Sequence, residues 1–292
     1  MQSNREFQRG FSLVEMIVVI AIMGVLGGMI AMLIRGPVQG YVDSARRADI
    51  SDIADIALYR ITHDLRQALP NSVRVWGVAS SSVSCNGNEA CYLEFIPMTG
   101  GGRYRAQQDC SGVCTGDVLD FTNPAGDASF DVLEPMPIFA AGASGVVVDN
   151  LGVSGVNAYD VPATNRATVD LAATSGITVV LTAPMPSPSA SPSNSFHVIS
   201  TPVTYVCKPG VGGTLTRYWG YDIQAAQPVN AASAPLSTAS SAVLASNVSA
   251  CSFVAPPTGL VTPTALVPIQ MTITESGESI SLYGTAHISN VP

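Results

Sequence analysis

From Met16 to Ile34 the chain runs MIVVIAIMGVLGGMIAMLI, 19 residues without a charge. As a helix this stretch spans about 28 Å, matching the roughly 30 Å hydrocarbon core of a bilayer. A cleavable secretory signal would be followed by a small-residue cut site. Ile34-Arg35-Gly36-Pro37 follows instead, so the helix is expected to stay on the mature chain as a membrane span. Beyond it, Gly36-Pro37 predicts a kink or local melting, because proline removes a helix hydrogen bond and crowds the preceding turn. From Tyr41 to Leu69 the pattern is again helical. Ile50, Ile53, Ala57, Ile61, Leu65 and Ala68 recur at three- and four-residue steps. Asp43, Arg46, Arg47, Asp52, Asp55, Arg60, Asp64 and Arg66 fill the opposite face, as in a helix with one side packed and the other facing solvent or neighbouring subunits.

After Pro70-Asn71 the period changes to short β-branched and aromatic runs divided by Gly, Pro, Asn and Ser. Strands are predicted at 72–78, 92–96, 118–121, 145–148, 177–182, 196–200, 203–207, 214–221, 242–247, 252–254, 269–274 and 279–283. Ser276-Gly277-Glu278 reads as the turn of a closing hairpin, and Gly100-Gly101-Gly102 as a turn. The low-complexity stretch PMPSPSASPSNS (184–195) is expected to be an exposed loop, with a division of the head into two lobes near it as the alternative.

Composition narrows this picture. The charged fraction is 12%, about half the ~25% usual in soluble domains, while the apolar fraction of 47% is ordinary. The formal net charge is −8 with 13 basic residues, which excludes broad binding to a phosphate backbone. Nine charges fall in the 34 positions 36–69, but only 20 fall in the 223 positions 70–292. So low a density over so long a segment points to a β-rich domain with a nearly neutral surface.

The residues ahead of the apolar run discriminate among anchors. RGFSLVEMIVVIAIMGVLGGMIA resembles the type IV prepilin and pseudopilin family, whose signature is Gly, then Phe, then an apolar helix with Glu at its fifth position. The resemblance implies cleavage between Gly10 and Phe11 by prepilin peptidase and N-methylation of Phe11. Physical chemistry agrees with it. Glycine leaves no side chain in the way of a protease at the membrane surface. Arg5 and Arg9 hold the leader on the cytoplasmic side. Glu15, an ionisable group entering an apolar span, is a functional candidate. Its expected partner is the new α-amino group of Phe11 on a neighbouring subunit. At ~4 Å and an effective dielectric of ~20 the pair is worth roughly 4 kcal/mol before desolvation. Gly24 and Gly28 form a small-xxx-small pair, a weak signal for helix packing. Within the family, Gly36–Val75, Cys91–Ala106, Leu244–Phe253 and His287–Pro292 resemble the branch that builds the mannose-sensitive haemagglutinin (MSHA) pilus.

All six cysteines, Cys85, Cys91, Cys110, Cys114, Cys207 and Cys251, lie beyond residue 70, as expected for an oxidising compartment. Fifteen pairings are possible. Locality favours Cys85–Cys91 and Cys110–Cys114, and the strand-like settings of Cys207 and Cys251 favour a bridge between neighbouring strands. Zinc is disfavoured by the C-x5-C and C-x3-C spacings without a nearby histidine. Asp117, Asp120, Asp127, Asp131 and Glu134 lack EF-hand spacing and read as a solvated acidic loop rather than a calcium site. His63, His197 and His287 are isolated, and no nucleophile elbow, metalloprotease helix or phosphate loop is present. Trp76, Trp219, Tyr218 and Tyr221 are candidates for stacking on sugars, with core packing the favoured reading.

The expectation is therefore an α+β, type IV pilin-like protein, with a long N-terminal helix on a β-rich, disulfide-containing head. Its boundaries are a leader at 1–10, a transmembrane segment at 11–35, a helical stem at 36–69 and a periplasmic head at 70–292. The expected function is that of a minor pilin-like structural subunit acting in assembly at or near a pilus tip, with no enzyme activity, cofactor, metal or nucleic acid. The alternatives are a minor pseudopilin of a type II secretion system and a tip adhesin. Implied partners are prepilin peptidase, other major and minor pilins, the inner-membrane assembly platform and inner-membrane lipid. The implied path runs from inner membrane to pilus and cell surface.

Overall fold

The computed structural model describes residues 10–77, 84–85, 89–133, 135–139, 143–186, 189–254 and 264–290. Helix α1 (Leu13–Arg66) includes Pro37 without a break. The expected melting at Gly36-Pro37 does not occur. Proline forfeits one hydrogen bond, and Gly36, lacking a Cβ, relieves the clash that a residue before proline normally suffers. The chain divides into a unit ending at Asp49 and a second comprising Ile50–Pro292. In the first, every residue from Leu13 to Ala45 is exposed.

In the second unit, helix α1 buries Ile50, Ala54, Ala57, Leu58, Ile61 and Leu65. Ile53 was expected on this face but is 40% exposed, and Ala54 and Leu58 point inward instead. The buried stripe follows the 50–54–58 and 57–61–65 steps, which leaves Ile53 at its margin. Each large apolar side chain so buried contributes roughly 1.5–3 kcal/mol. The helix ends at Arg66, short of the expected Leu69, because the next residues pair across the head. Leu69 N–H donates to Ile96 and Met98 N–H to Gln67.

Among the described residues the strands are β1 (Arg74–Gly77), β2 (Ser84–Cys85), β3 (Cys91–Phe95), β4 (Met98–Tyr104), β5 (Asp127–Leu133), β6 (Ala143–Val148), β7 (Arg166–Ala167), β8 (Thr178–Met185), β9 (Ser195–Ser200), β10 (Val203–Lys208), β11 (Thr214–Trp219), β12 (Ser240–Ser246), β13 (Val248–Val254), β14 (Thr264–Glu275) and β15 (Glu278–Ser289). They form a five-stranded sheet β1-β3-β10-β11-β12, a four-stranded sheet β15-β14-β13-β2 and a six-stranded sheet β7-β6-β9-β4-β5-β8. The first two sheets share one core with the helix, through Leu93, Phe95, Tyr205, Leu215, Val267, Ile269, Met271 and Ile288 among others. Strands β14 and β15 join through Ser276-Gly277, with Glu275 opposite Glu278. Both turn residues have positive φ, 51° and 86°, as a two-residue primed hairpin turn requires.

The six-stranded sheet closes on itself. Past β7, Val169 bridges Leu181, while Asp170 N–H donates to Val180 and Thr182 N–H to Thr168. These bonds join the two edge strands into a small antiparallel barrel filled by Tyr104, Phe130, Val132, Val146, Val148, Val179, Leu181, Phe196 and Val198. The Phe130 and Phe196 rings meet edge to face at 5.2 Å. Gly100, Gly101 and Gly102 are not a turn but part of β4, paired with β9. A Cβ on Gly102 would lie 3.1 Å from the Phe196 ring, so glycine lets that ring pack against backbone. The barrel occupies the chain between β3 and β10, which are themselves paired, Phe95 opposite Val203. The 184–195 stretch lies inside it, so the two cores divide at 96–98 and 199–203 rather than near 184–195.

The two cores meet across a small apolar contact of Leu69, Ile96, Val147, Ala158, Tyr159 and Ile199. Beside it, buried Asn150 donates through Nδ2 to the Pro70 carbonyl (2.6 Å) and accepts through Oδ1 from Ala158 N–H (2.8 Å). Asn71, at φ 59°, donates back to the Asn150 carbonyl. Two buried carboxylates add to this framework. Asp64, placed on the solvent face by the sequence pattern, instead accepts from Tyr205 Oη (2.8 Å) and Arg217 Nε (2.9 Å). Fully buried Glu94 accepts from Arg74 Nε (2.8 Å) and Tyr221 Oη (3.1 Å).

Two measurements follow from these carboxylates. Asp64→Ala strands Arg217 and the Tyr205 hydroxyl, and is expected to lower unfolding stability by about 3 kcal/mol or more in a urea titration followed by tryptophan fluorescence. Burial pushes the Glu94 carboxyl above its ordinary 4.5, a shift that Arg74 reduces but does not cancel. The folded state then keeps this proton to higher pH than the unfolded chain. Glu94's contribution is complete below about pH 4.5 and is lost as pH rises through its folded value. Thermal melts from pH 4 to 7 should therefore show Glu94→Gln gaining on the unmodified protein as pH rises.

Candidate functional site

The sequence SLVE at 12–15 builds the start of helix α1. Gly10, Phe11 and Ser12 precede the helix. Met16 N–H donates to the Ser12 carbonyl at 3.2 Å, and Glu15 N–H donates to Ser12 Oγ at 3.2 Å. Ser12 is thus the N-cap and Glu15 the third helical residue, the S-x-x-E spacing of a capping box. This local role for Glu15 is legible in the sequence as that spacing and was missed by reading the glutamate only as an intramembrane charge. Its carboxylate also stands at the positive end of the helix dipole.

Around this start the chain is open. Phe11 is 81% exposed, and nothing lies within 4 Å of a Cβ built on Gly10. The Gly10–Phe11 peptide is therefore outside regular structure, where a protease can take it in extended form. Gly24 and Gly28 likewise face open space. Among the described residues, one helix is long and apolar enough to cross a membrane.

Residues 7–31 match the family described as the prokaryotic N-terminal methylation motif. No curated protein and no solved structure matches the chain. The match covers Gly10, Phe11, Ser12 and Glu15 together with most of the apolar run, and supports a type IV prepilin-like family. Proteins with this motif are structural subunits, processed by prepilin peptidase and assembled with other pilins. The apolar helix with this motif points to membrane anchoring. The helix with a β-rich head is consistent with a pilin-like α+β arrangement.

The cysteines serve the head. Cys207 in β10 is bonded to Cys251 in β13, tying the five-stranded sheet to the four-stranded one. Cys110 and Cys114 close a short exposed loop. Cys91 is disulfide-bonded, and the side chain of Cys85 lies outside the described residues. The bond closing the 44-residue separation constrains the unfolded chain by about 4 kcal/mol on loop entropy, against about 2 kcal/mol for the short loop. Replacing Cys207 and Cys251 together by serine should lower the denaturation midpoint markedly more than the same change at Cys110 and Cys114.

Other sequence candidates have structural employment. Asp131 accepts from Thr178 Oγ1 (2.7 Å) and Asp117 N–H (3.0 Å) and faces Arg105 at 3.4 Å. Burial would raise its pKa, but these bonds together hold it below the ordinary carboxylate value. Asp127 accepts from Asp120 N–H, and Asp120 from Thr122. The predicted 118–121 strand is absent, and Asp120 instead closes a turn with Thr122; Asp127 and Asp131, read as part of an acidic loop, lie in strand β5. Glu134 lies outside the described residues. His63 sits 3.6 Å from Asp64, His287 is exposed, and burial lowers the pKa of His197 within the barrel wall. The four aromatic candidates do not form one platform. Tyr218 and Trp219 occupy alternate faces of β11, Tyr221 is buried on Glu94, and Trp76 is 39% exposed.

Proposed function

We propose that this chain is a minor pilin-like structural subunit of an MSHA-type type IV pilus, similar to the MSHA biogenesis protein MshO, inserted in the inner membrane with its head in the periplasm. Prepilin peptidase cuts between Gly10 and Phe11 and methylates Phe11. The subunit then enters the filament through its N-terminal helix, where Glu15 pairs with the α-amino group of Phe11 on a neighbour. The observation that carries this reading is the match at residues 7–31 laid over an exposed Gly10–Phe11 peptide and a capped, unburied apolar helix. The MSHA assignment is supported by the residue resemblances at 36–75, 91–106, 244–253 and 287–292. A low-copy position near the tip is supported by the barrel inserted between β3 and β10, which enlarges the head beyond what one helix-packed sheet system needs.

Mass spectrometry of the chain recovered from membranes of an assembling strain tests the processing. The expected product lacks residues 1–10 and carries one N-methyl group on Phe11; an intact leader overturns the reading. Glu15→Val should leave membrane insertion unchanged and abolish incorporation into filaments, while Ser12→Ala, which removes only the cap, should cost helix stability and retain incorporation.

A further inference from the structure

The partly buried arginines of the head follow a rule with one exception. Arg74 faces Glu94, Arg105 faces Asp131 and Arg217 faces Asp64, at 2.8, 3.4 and 2.9 Å. Arg166, half-buried on β7, has no carboxylate within ion-pair distance among the described residues. It donates through Nε to the Ala158 carbonyl at 2.9 Å. Its remaining four guanidinium N–H groups have no partner among the described residues. Burial lowers its pKa, as expected for a cation with no carboxylate at ion-pair distance among the described residues.

These N–H groups are not shut in. Ala167 and Val169 fill the barrel, so the alternation of the strand turns Arg166 and Thr168 outward. There they line a cleft of about 380 Å³ together with Thr201, Tyr221 and Asp222. The size is at the lower end of small-ligand sites. The Thr168 and Thr201 hydroxyls and the Asp222 carboxylate make no side-chain hydrogen bond among the described residues. Tyr221 is buried beneath the cleft, its hydroxyl turned inward to Thr204 and Glu94. A second depression of about 240 Å³ shares Arg166 and Thr168 and is also lined by Pro184 and Pro186.

We propose that this cleft binds a carboxylated sugar, a uronic acid unit of an acidic glycan. A free guanidinium fork suits a planar carboxylate, which it holds by two parallel hydrogen bonds. Asp222 disfavours a dianion such as phosphate and accepts from sugar hydroxyls. Thr168 and Thr201 supply further hydroxyl partners, and Ile223 adds an apolar wall. The adjoining depression leaves room for the next unit of the chain. This site is built wholly by the head and stands or falls separately from the processing of the N-terminus.

Isothermal titration of the full chain in detergent with sodium D-glucuronate tests it, against D-glucose, sodium acetate, inorganic phosphate and N-acetyl-Ala-Ala. Glucuronate is expected to bind with a millimolar dissociation constant and at least tenfold more tightly than each control. Arg166→Gln should weaken it at least tenfold. Thr201→Val, which leaves the Ala158 contact in place, should weaken it severalfold with an unchanged melting temperature. Glucuronate binding no tighter than glucose overturns the proposal, as does equal binding of acetate or phosphate, which would mark a plain anion site. Tighter binding of the dipeptide would assign the cleft to a peptide carboxylate instead. Unchanged affinity in folded Arg166→Gln or in Thr201→Val also overturns it.

Discussion

Everything in the head depends on how the stretch of helix from Ile50 to Leu65 is covered. Two sheets contribute to the core around its apolar stripe. The Cys207–Cys251 bond ties those sheets together, and Asp64 fixes the helix to β10 and β11 through Tyr205 and Arg217. The arrangement carries both nonspecific burial and a directional element. Burial supplies most of the energy, while a buried carboxylate with two matched donors tolerates little rotation of the helix before a charge is stranded.

The same chain uses a second solution to the edge problem. A sheet with open edges exposes unpaired backbone groups, and long inserted strands make that liability worse. The segment between β3 and β10 removes its edges by closing into a barrel, and its glycine-rich β4 lets Phe196 pack against backbone inside. Because β3 and β10 pair with each other, the insertion leaves the first sheet's register intact. An accessory lobe can therefore be carried on a helix-packed head without rebuilding it. Asn150 and Asn71 then join the two cores through backbone carbonyls, which holds the junction by hydrogen bonds rather than by a large apolar interface.

Along the N-terminal half the balance is reversed. The helix from Leu13 to Ala45 is exposed and has no protein core to stabilise it, so its order rests on its own hydrogen bonds and a capped start. An apolar surface of that length is stable in lipid, or against other helices of the same kind, and unfavourable in water. Glu15 takes part in that start through its backbone N–H, which donates to Ser12 Oγ.

The N-terminal motif, the apolar span, the helical period and most strands were legible in the sequence because each is written in local spacing. Period 3.6, period 2 and the Gly-Phe-x-x-x-Glu order need no knowledge of distant residues. Strands β4 and β5 were not legible, since Gly100–Gly102 and the Asp127–Leu133 run carry turn and loop chemistry that barrel closure overrides. Nor did the pattern reveal that Asp64 is buried, because its partners Tyr205 and Arg217 lie about 140 and 153 positions away. Arg166 was invisible for the same reason. An arginine without a carboxylate can be recognised only when every other partly buried arginine is seen with one. The sequence alone determined the N-terminal methylation motif and the apolar span that points to membrane anchoring, as a record of local spacing and periodicity. Tertiary structure alone decided which charges are paired, where the second core divides from the first and where an unpaired cation meets a cleft, because those depend on contacts between segments that no local pattern links.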